Sequence, residues 1–355
     1  MNKTKGEIMN NFKKIGLTAL AGSLAAVSAN AVELSVSGET TVSYVSNTGT
    51  KANTIGGQTI GTSTGITFSG SGELENGWTI SSSNILNDAD ANALSSSQLN
   101  MTMGSMGTIT FAKAAGTNVN AIDDVTPKVA EEAWDQAAGS VLQGIGGSTN
   151  SGAVAYKSPS FDLMGVSASF GVDYDPAAGG AGNDHDAVAA KTATQGSGQG
   201  AVIKLSHDIG LTLGAGIEEI TSNSGNDAEA TNSTAYALYT MGPVSVGYQG
   251  YYLNYGSSPK AGDTTGIADY SGEAIGIAFN VNDQLSIGYQ KVSEDKEERS
   301  GTAGTTRDIK SLSAAYSTGG MTMSIQSTDT DNSTMAVAGS ELDVEAVQVT
   351  LSFAF

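Results

Sequence analysis

Val347-Gln348-Val349-Thr350-Leu351-Ser352-Phe353-Ala354-Phe355 puts valine, leucine and phenylalanine on every odd position and small or polar residues on every even one. Neighbouring side chains of a β-strand point to opposite faces, so this period of two predicts a strand with one apolar and one polar face. A helix would scatter the same residues around its whole circumference.

The pattern recurs throughout the chain. Val32, Leu34, Val36, Val42 and Tyr44 alternate with Glu33, Ser35, Ser37, Glu39, Thr41 and Ser43. Ile66 and Phe68 oppose Thr67 and Ser69, and Leu99 and Met101 oppose Asn100 and Thr102. Val166, Ala168, Phe170 and Val172 alternate with Ser167, Ser169 and Gly171, and Leu211, Leu213 and Ile217 with Thr212, Gly214, Gly216 and Glu218.

Two kinds of connection alternate between these segments. Short ones carry turn residues: Glu75-Asn76-Gly77, Ser105-Met106-Gly107, Asp208-Ile209-Gly210, Met241-Gly242-Pro243, Asn280-Val281-Asn282-Asp283 and Thr318-Gly319-Gly320, with a longer one over Ser158–Gly165. Long polar stretches fall near 46–61, 87–96, 113–152, 175–199, 221–232, 254–270, 294–307 and 329–341. A membrane barrel has short turns at one end and long loops at the other, so this rhythm predicts an all-β fold. The expectation is a transmembrane antiparallel β-barrel of about sixteen strands, a size that leaves an aqueous lumen.

Composition agrees. The chain has 46 glycines, five prolines and no cysteine, which suits many strands and turns held by backbone pairing and excludes a disulfide framework. Mean hydropathy of −0.11 does not argue against a membrane barrel, because only every second strand residue faces lipid. The net charge of −20 argues against nucleic acid as a partner and points to cations. Lys3, Lys5, Lys13 and Lys14, an apolar run over Ile15–Val27 and Ala29-Asn30-Ala31 have the layout of a signal peptide. The run is too short and too diluted by Gly16, Thr18, Gly22 and Ser23 for a spanning helix. The expected division is a signal peptide over 1–31 and a barrel over 32–355.

The signal peptide, the sixteen-strand rhythm, the long third loop and Val349-Thr350-Leu351-Ser352-Phe353-Ala354-Phe355 resemble the general porins of Gram-negative bacteria, in a style similar to alphaproteobacterial ones. Ala155-Tyr156-Lys157-Ser158-Pro159 after the third loop adds to the resemblance, whereas the Pro-Glu-Phe-Gly loop tip of enteric porins is missing. The resemblance implies homotrimers of water-filled barrels in outer-membrane lipid, each narrowed by its third loop folding inward, that pass small hydrophilic solutes by passive diffusion. The aromatic at Phe355 resembles the signal read by barrel assembly machinery.

Within the third loop, Thr126 and Pro127 predict a helix start, with Val129, Ala133, Trp134 and Ala137 on one face. Asp123, Asp124, Glu131, Glu132 and Asp135 would then line a constriction, where carboxylates enrich cations and repel anions. Solvation of an exposed outer loop is the competing reading of the same charges. Lys157 and Lys204 have lumen-facing parity and, with Arg307, are candidates for an opposing basic wall; Lys310 shares the parity of Leu312 and is left out. Tyr44, Trp78, Phe111, Tyr156, Phe170, Tyr248, Tyr252, Phe279, Tyr289, Phe353 and Phe355 are candidates for interfacial aromatic girdles.

Other chemistry finds little support. Structural calcium at Asp184 and Asp186, or at Asp329 and Asp331, lacks the spacing of an EF-hand. No cofactor is implied. His185 and His207 are the only histidines, and no phosphate-binding Gly-Lys-Ser or Gly-Lys-Thr element is present, so catalysis is not expected. The Gly, Ser, Thr and Asn content also fits a secreted β-rich adhesin or surface-layer protein, but alternating loop lengths and Phe355 speak against that. A substrate-specific channel using Trp134 as a stacking surface is a further alternative.

Overall fold

Two-faced segments bury their backbone polar groups only by pairing, and in this chain the pairing runs full circle. The computed structural model describes residues 33–49, 57–88, 94–114, 116–135, 145–146, 152–176, 196–221, 230–254, 267–298, 304–336 and 341–355. The segment read as a signal peptide, 1–31, lies outside them.

The strands are β1 Glu33–Gly49, β2 Gly57–Glu73, β3 Thr79–Asn87, β4 Leu94–Thr102, β5 Thr108–Lys113, β6 Ala153–Lys157, β7 Phe161–Leu163, β8 Val166–Asp175 and β9 Gly198–His207. They continue as β10 Leu211–Ile220, β11 Ala230–Met241, β12 Val244–Asn254, β13 Ile267–Asn280, β14 Leu285–Glu298, β15 Thr305–Thr318, β16 Met321–Asp331 and β17 Val344–Ala354. Each pairs antiparallel with its neighbours, and β1 pairs with both β2 and β17, which closes the sheet. At the seam Gly38 donates its N–H to the Phe355 carbonyl at 2.8 Å, and Phe355 donates back at 2.9 Å. Closure leaves no edge strand, the condition for a sheet in lipid.

The extra strand is one barrel position broken in two. β6 and β7 both pair with β8, from Lys157↔Gly171 to Phe161↔Ala168. Between those pairs three residues on one side, 158–160, face two on the other, 169–170, which is a bulge. It falls at Ser158-Pro159-Ser160, where proline has no N–H to give the ladder. Ser158 bridges the gap: its N–H donates to the Phe170 carbonyl, and its hydroxyl accepts the Phe170 N–H, both at 2.9 Å. The barrel therefore has the expected sixteen positions, but the turn expected over Ser158–Gly165 contracts to Met164-Gly165. Both residues have positive φ there, as do Gly319 and Gly320, the geometry of tight hairpins.

The long connections are shorter than expected because strands continue past the alternating region. β1 and β2 leave only 50–56 between them, and β14 reaches Glu298. Along β12 the outward positions are Val246, Tyr248 and Tyr252, all exposed, whereas Gly247, Gln249, Tyr251 and Leu253 face inward and are buried. Of the candidate girdle aromatics, Tyr44, Phe111, Phe170, Tyr248, Tyr252, Tyr289, Phe353 and Phe355 are exposed on the exterior. Trp78, Tyr156 and Phe279 are half-buried.

Candidate functional site

A solvated barrel has no reason to bury glutamine, yet Gln249 and Gln326 are among its most buried side chains and Gln290 is buried beside them. What covers them is the third loop, which folds inward as expected. Its backbone hangs from side chains of alternate strands. Asp173 on β8 accepts the N–H groups of Asn118 and Val119 at 3.0 and 2.8 Å. On β12, Gln249 accepts the Val125 N–H at 2.8 Å and donates to the Ile122 carbonyl at 2.8 Å. Gln290 on β14 accepts the Ala133 N–H at 2.9 Å, and Gln326 on β16 donates to the Glu132 carbonyl at 3.3 Å. Glu218 on β10 accepts the Gly146 N–H at 2.9 Å.

This anchoring replaces the helix expected from Thr126 and Pro127. Residues 123–135 form bends and turns, and the only helical piece described in the loop is the 3-10 turn Asn120–Ile122. The Thr126 hydroxyl accepts from Gln290 at 3.3 Å instead of capping a helix. Wall amides satisfy loop N–H and C=O groups that a helix would have paired internally.

Close approach needs a wall without side chains. A Cβ on Gly171, Gly200, Gly216, Gly247, Gly276 or Gly288 would come within 3.0 Å of Asn118, Val119, Ile122, Pro127, Pro127 and Val129 respectively. These glycines lie across β8 to β14 and form the bed on which the loop rests.

Apolar contacts complete the attachment. Ala133 and Trp134 pack with Tyr251, Leu253, Tyr270, Ala274, Val292, Ile309 and Met335, and Val119 and Ile122 with Ile145 and Tyr236. Trp134 is 6 % exposed, so its indole offers no stacking surface for a sugar. Met335 belongs to a second inward segment: its carbonyl accepts from Lys296 Nζ and Thr305 Oγ1, each at 2.9 Å.

The candidate charges separate by environment. Glu131 and Asp135 are exposed, Asp123 and Asp124 half-buried and Glu132 buried. Lys128 bonds Asp124 at 3.4 Å and pairs with Glu132, so one ammonium offsets part of the charge of those two carboxylates. Burial, reinforced by Asp124, pushes the Asp123 carboxyl up to about 7. Burial also raises Asp135. Oxygens of Glu131, Glu132 and Asp135 lie within 4.8 Å of one another.

Lys157 and Lys204 face the lumen and border a cavity shared with Ile122 and Val125 of the loop. Arg307 does not join them. It is fully buried in an ion pair with Glu294, and its Nη1 donates to the Ser333 carbonyl at 3.1 Å. Its parity is lumenal, but 332–336 covers it. Lys310 faces outward and pairs with Asp331 at 3.6 Å. Asp329 and Asp331 are strand residues of β16, not a loop tip; Asp184, Asp186 and His185 lie outside the described residues. His207 accepts the Ile209 N–H at 3.2 Å, a turn-stabilising role.

Solved structures share this architecture at low identity. A trimer form of in-vitro folded OmpT from Vibrio cholerae matches with a TM-score of 0.64 and 11% identity, covering 92% of this chain and all (100%) of that one. The anion-selective porin from Comamonas acidovorans matches at 0.63 and 15%, covering 92% and 100%. OmpF of Salmonella typhi, solved with daunomycin, matches at 0.63 and 14%, covering 91% and 98%. No curated protein sequence matches. The family model described as "Gram-negative porin" matches residues 16–322, most of the chain, and so the chain belongs to the Gram-negative porin family.

Proposed function

We propose that this outer-membrane porin is a cation-preferring channel for ions and small hydrophilic solutes, assembled as a homotrimer and exported by the segment 1–31. The supporting observation is the division of charge on the third loop. Its buried face is fastened to the wall, Asp124 and Glu132 share Lys128, and Asp123, Glu131 and Asp135 form no ion pair within contact distance among the described residues, Lys128 acting on Asp135 only through its charge. Carboxylates so placed raise the local cation concentration in a narrow passage. The Comamonas porin shares the fold and is anion-selective, so the sign of selectivity must come from side chains. The trimer form of OmpT supports the homotrimer. The exposed exterior aromatics fit lipid contact, and the seam at Phe355 fits recognition by barrel assembly machinery.

Zero-current potentials across a salt gradient in a planar bilayer test this reading. The wild type should give a cation-signed potential, and D123N/E131Q/D135N should move it towards zero without loss of conductance. A potential unchanged by the triple variant rejects these carboxylates as the selective groups.

A further inference from the structure

The cavity between the third loop and the wall has a chemistry opposite to that of the loop. It measures about 230 Å³ and lies on the short-turn side, where Lys157 pairs with Thr108 and Gly171 and Lys204 with Ser169 and Gly214. Ile122 and Val125 of the loop and Val202 and Leu238 of the wall give it an apolar floor, continuous with the buried cluster around Tyr236. Lys157 and Lys204 stand over that floor, and no carboxylate lines the cavity. Neither lysine forms an ion pair with a described residue, although the chain carries a net charge of −20.

The geometry points to a binding subsite for small organic carboxylates with an apolar body, such as a single aromatic ring or a short branched chain. This rests on the porin reading and adds a solute class to it. The volume sets the size, since drug-sized ligands occupy cavities of roughly 300–1,000 Å³. The apolar floor takes the body by burial, and the two ammonium groups take the carboxylate. An inorganic cation finds nothing here. A hydrophilic neutral solute would leave the floor unused. The carboxylate therefore gains a foothold beside a loop whose own charge repels it, and occupancy slows its passage.

The probe is sodium benzoate, titrated by calorimetry into the full-length folded protein in detergent micelles. Saturable binding is expected. Benzyl alcohol, which lacks the charge, and acetate, which lacks the ring, should each bind roughly tenfold more weakly or not at all. K157Q and K204Q, at exposed positions, should each weaken benzoate, and together by about tenfold or more. V202D, which puts a carboxylate on the floor, should abolish binding. Unsaturable heats with wild type, or equal affinity in K157Q/K204Q, overturn the subsite. Calorimetry needs only a folded barrel, so a channel that conducts but does not bind benzoate refutes the subsite alone. A folded barrel that binds benzoate but carries no current refutes the pore reading alone.

Discussion

Gln249 holds Val125 and Ile122 with opposite ends of one amide, accepting from the first and donating to the second, both at 2.8 Å. The pair of bonds fixes the loop against β12 at the point where its charged segment begins. Replacing Gln249 by Ala leaves those loop groups unsatisfied in a buried place, at a cost of about 1–3 kcal/mol. Q249A should give a noisier channel with a broader conductance distribution, read from single-channel records.

Trp78 and Trp134 are the only tryptophans, and Trp134 reports on the loop. In a W78F background its emission should be blue-shifted, as expected for an indole packed among Tyr251, Val292 and Met335. Adding Q249A/Q290A should shift that emission to the red while the barrel remains heat-modifiable on gels. An unshifted spectrum would mean that the apolar contacts alone hold the loop.

The glycine bed predicts a change in pore width without a change in charge. A methyl group at Gly276 meets the Pro127 backbone, which cannot rotate out of the way. G276A should therefore lift the loop towards the lumen and lower single-channel conductance, with the selectivity sign retained. Gly57, beside which nothing lies within 4 Å, serves as the control, and G57A should conduct as the wild type does.

On the proposed function, selectivity should depend on pH through Asp123. Its carboxyl is raised from 3.8 to about 7, so it is neutral at pH 6 and ionised at pH 8. Cation preference should rise across that interval, and D123N should remove the step. The stability sign is the reverse. The folded state holds the proton more tightly than the unfolded chain, so this residue's contribution falls as pH rises from about 4 to about 7 and stays low above that.

The strands and short turns were legible because each residue's fate there depends on its neighbours alone, as in Val347–Phe355 or at Gly319-Gly320. Strand ends were harder to read. Glu294–Glu298 is charged on both faces and reads as a loop, yet it is the top of β14, paired with β13 as far as Ile267↔Glu298. The third loop misled for a different reason. Thr126-Pro127 is a sound local helix start, but Gln249, Gln290 and Gln326 reach it from 120 or more positions away in sequence. Their inward parity was available, and a polar amide among small lumenal residues was the missed signal. Parity placed Arg307 on the correct face but had no means of showing that Ser333 and Met335 lie over it.

The bed of glycines under the third loop has one more consequence. Where the loop rests on bare strand backbone, the bore of the passage is set by the path of the wall and not by the rotamers of long wall side chains. The lumenal face of the loop is then free to change its carboxylates for amides, or for bases, without altering the seat beneath it. Calibre and ionic preference become independent variables in this barrel, one held by absent side chains and the other by those that remain.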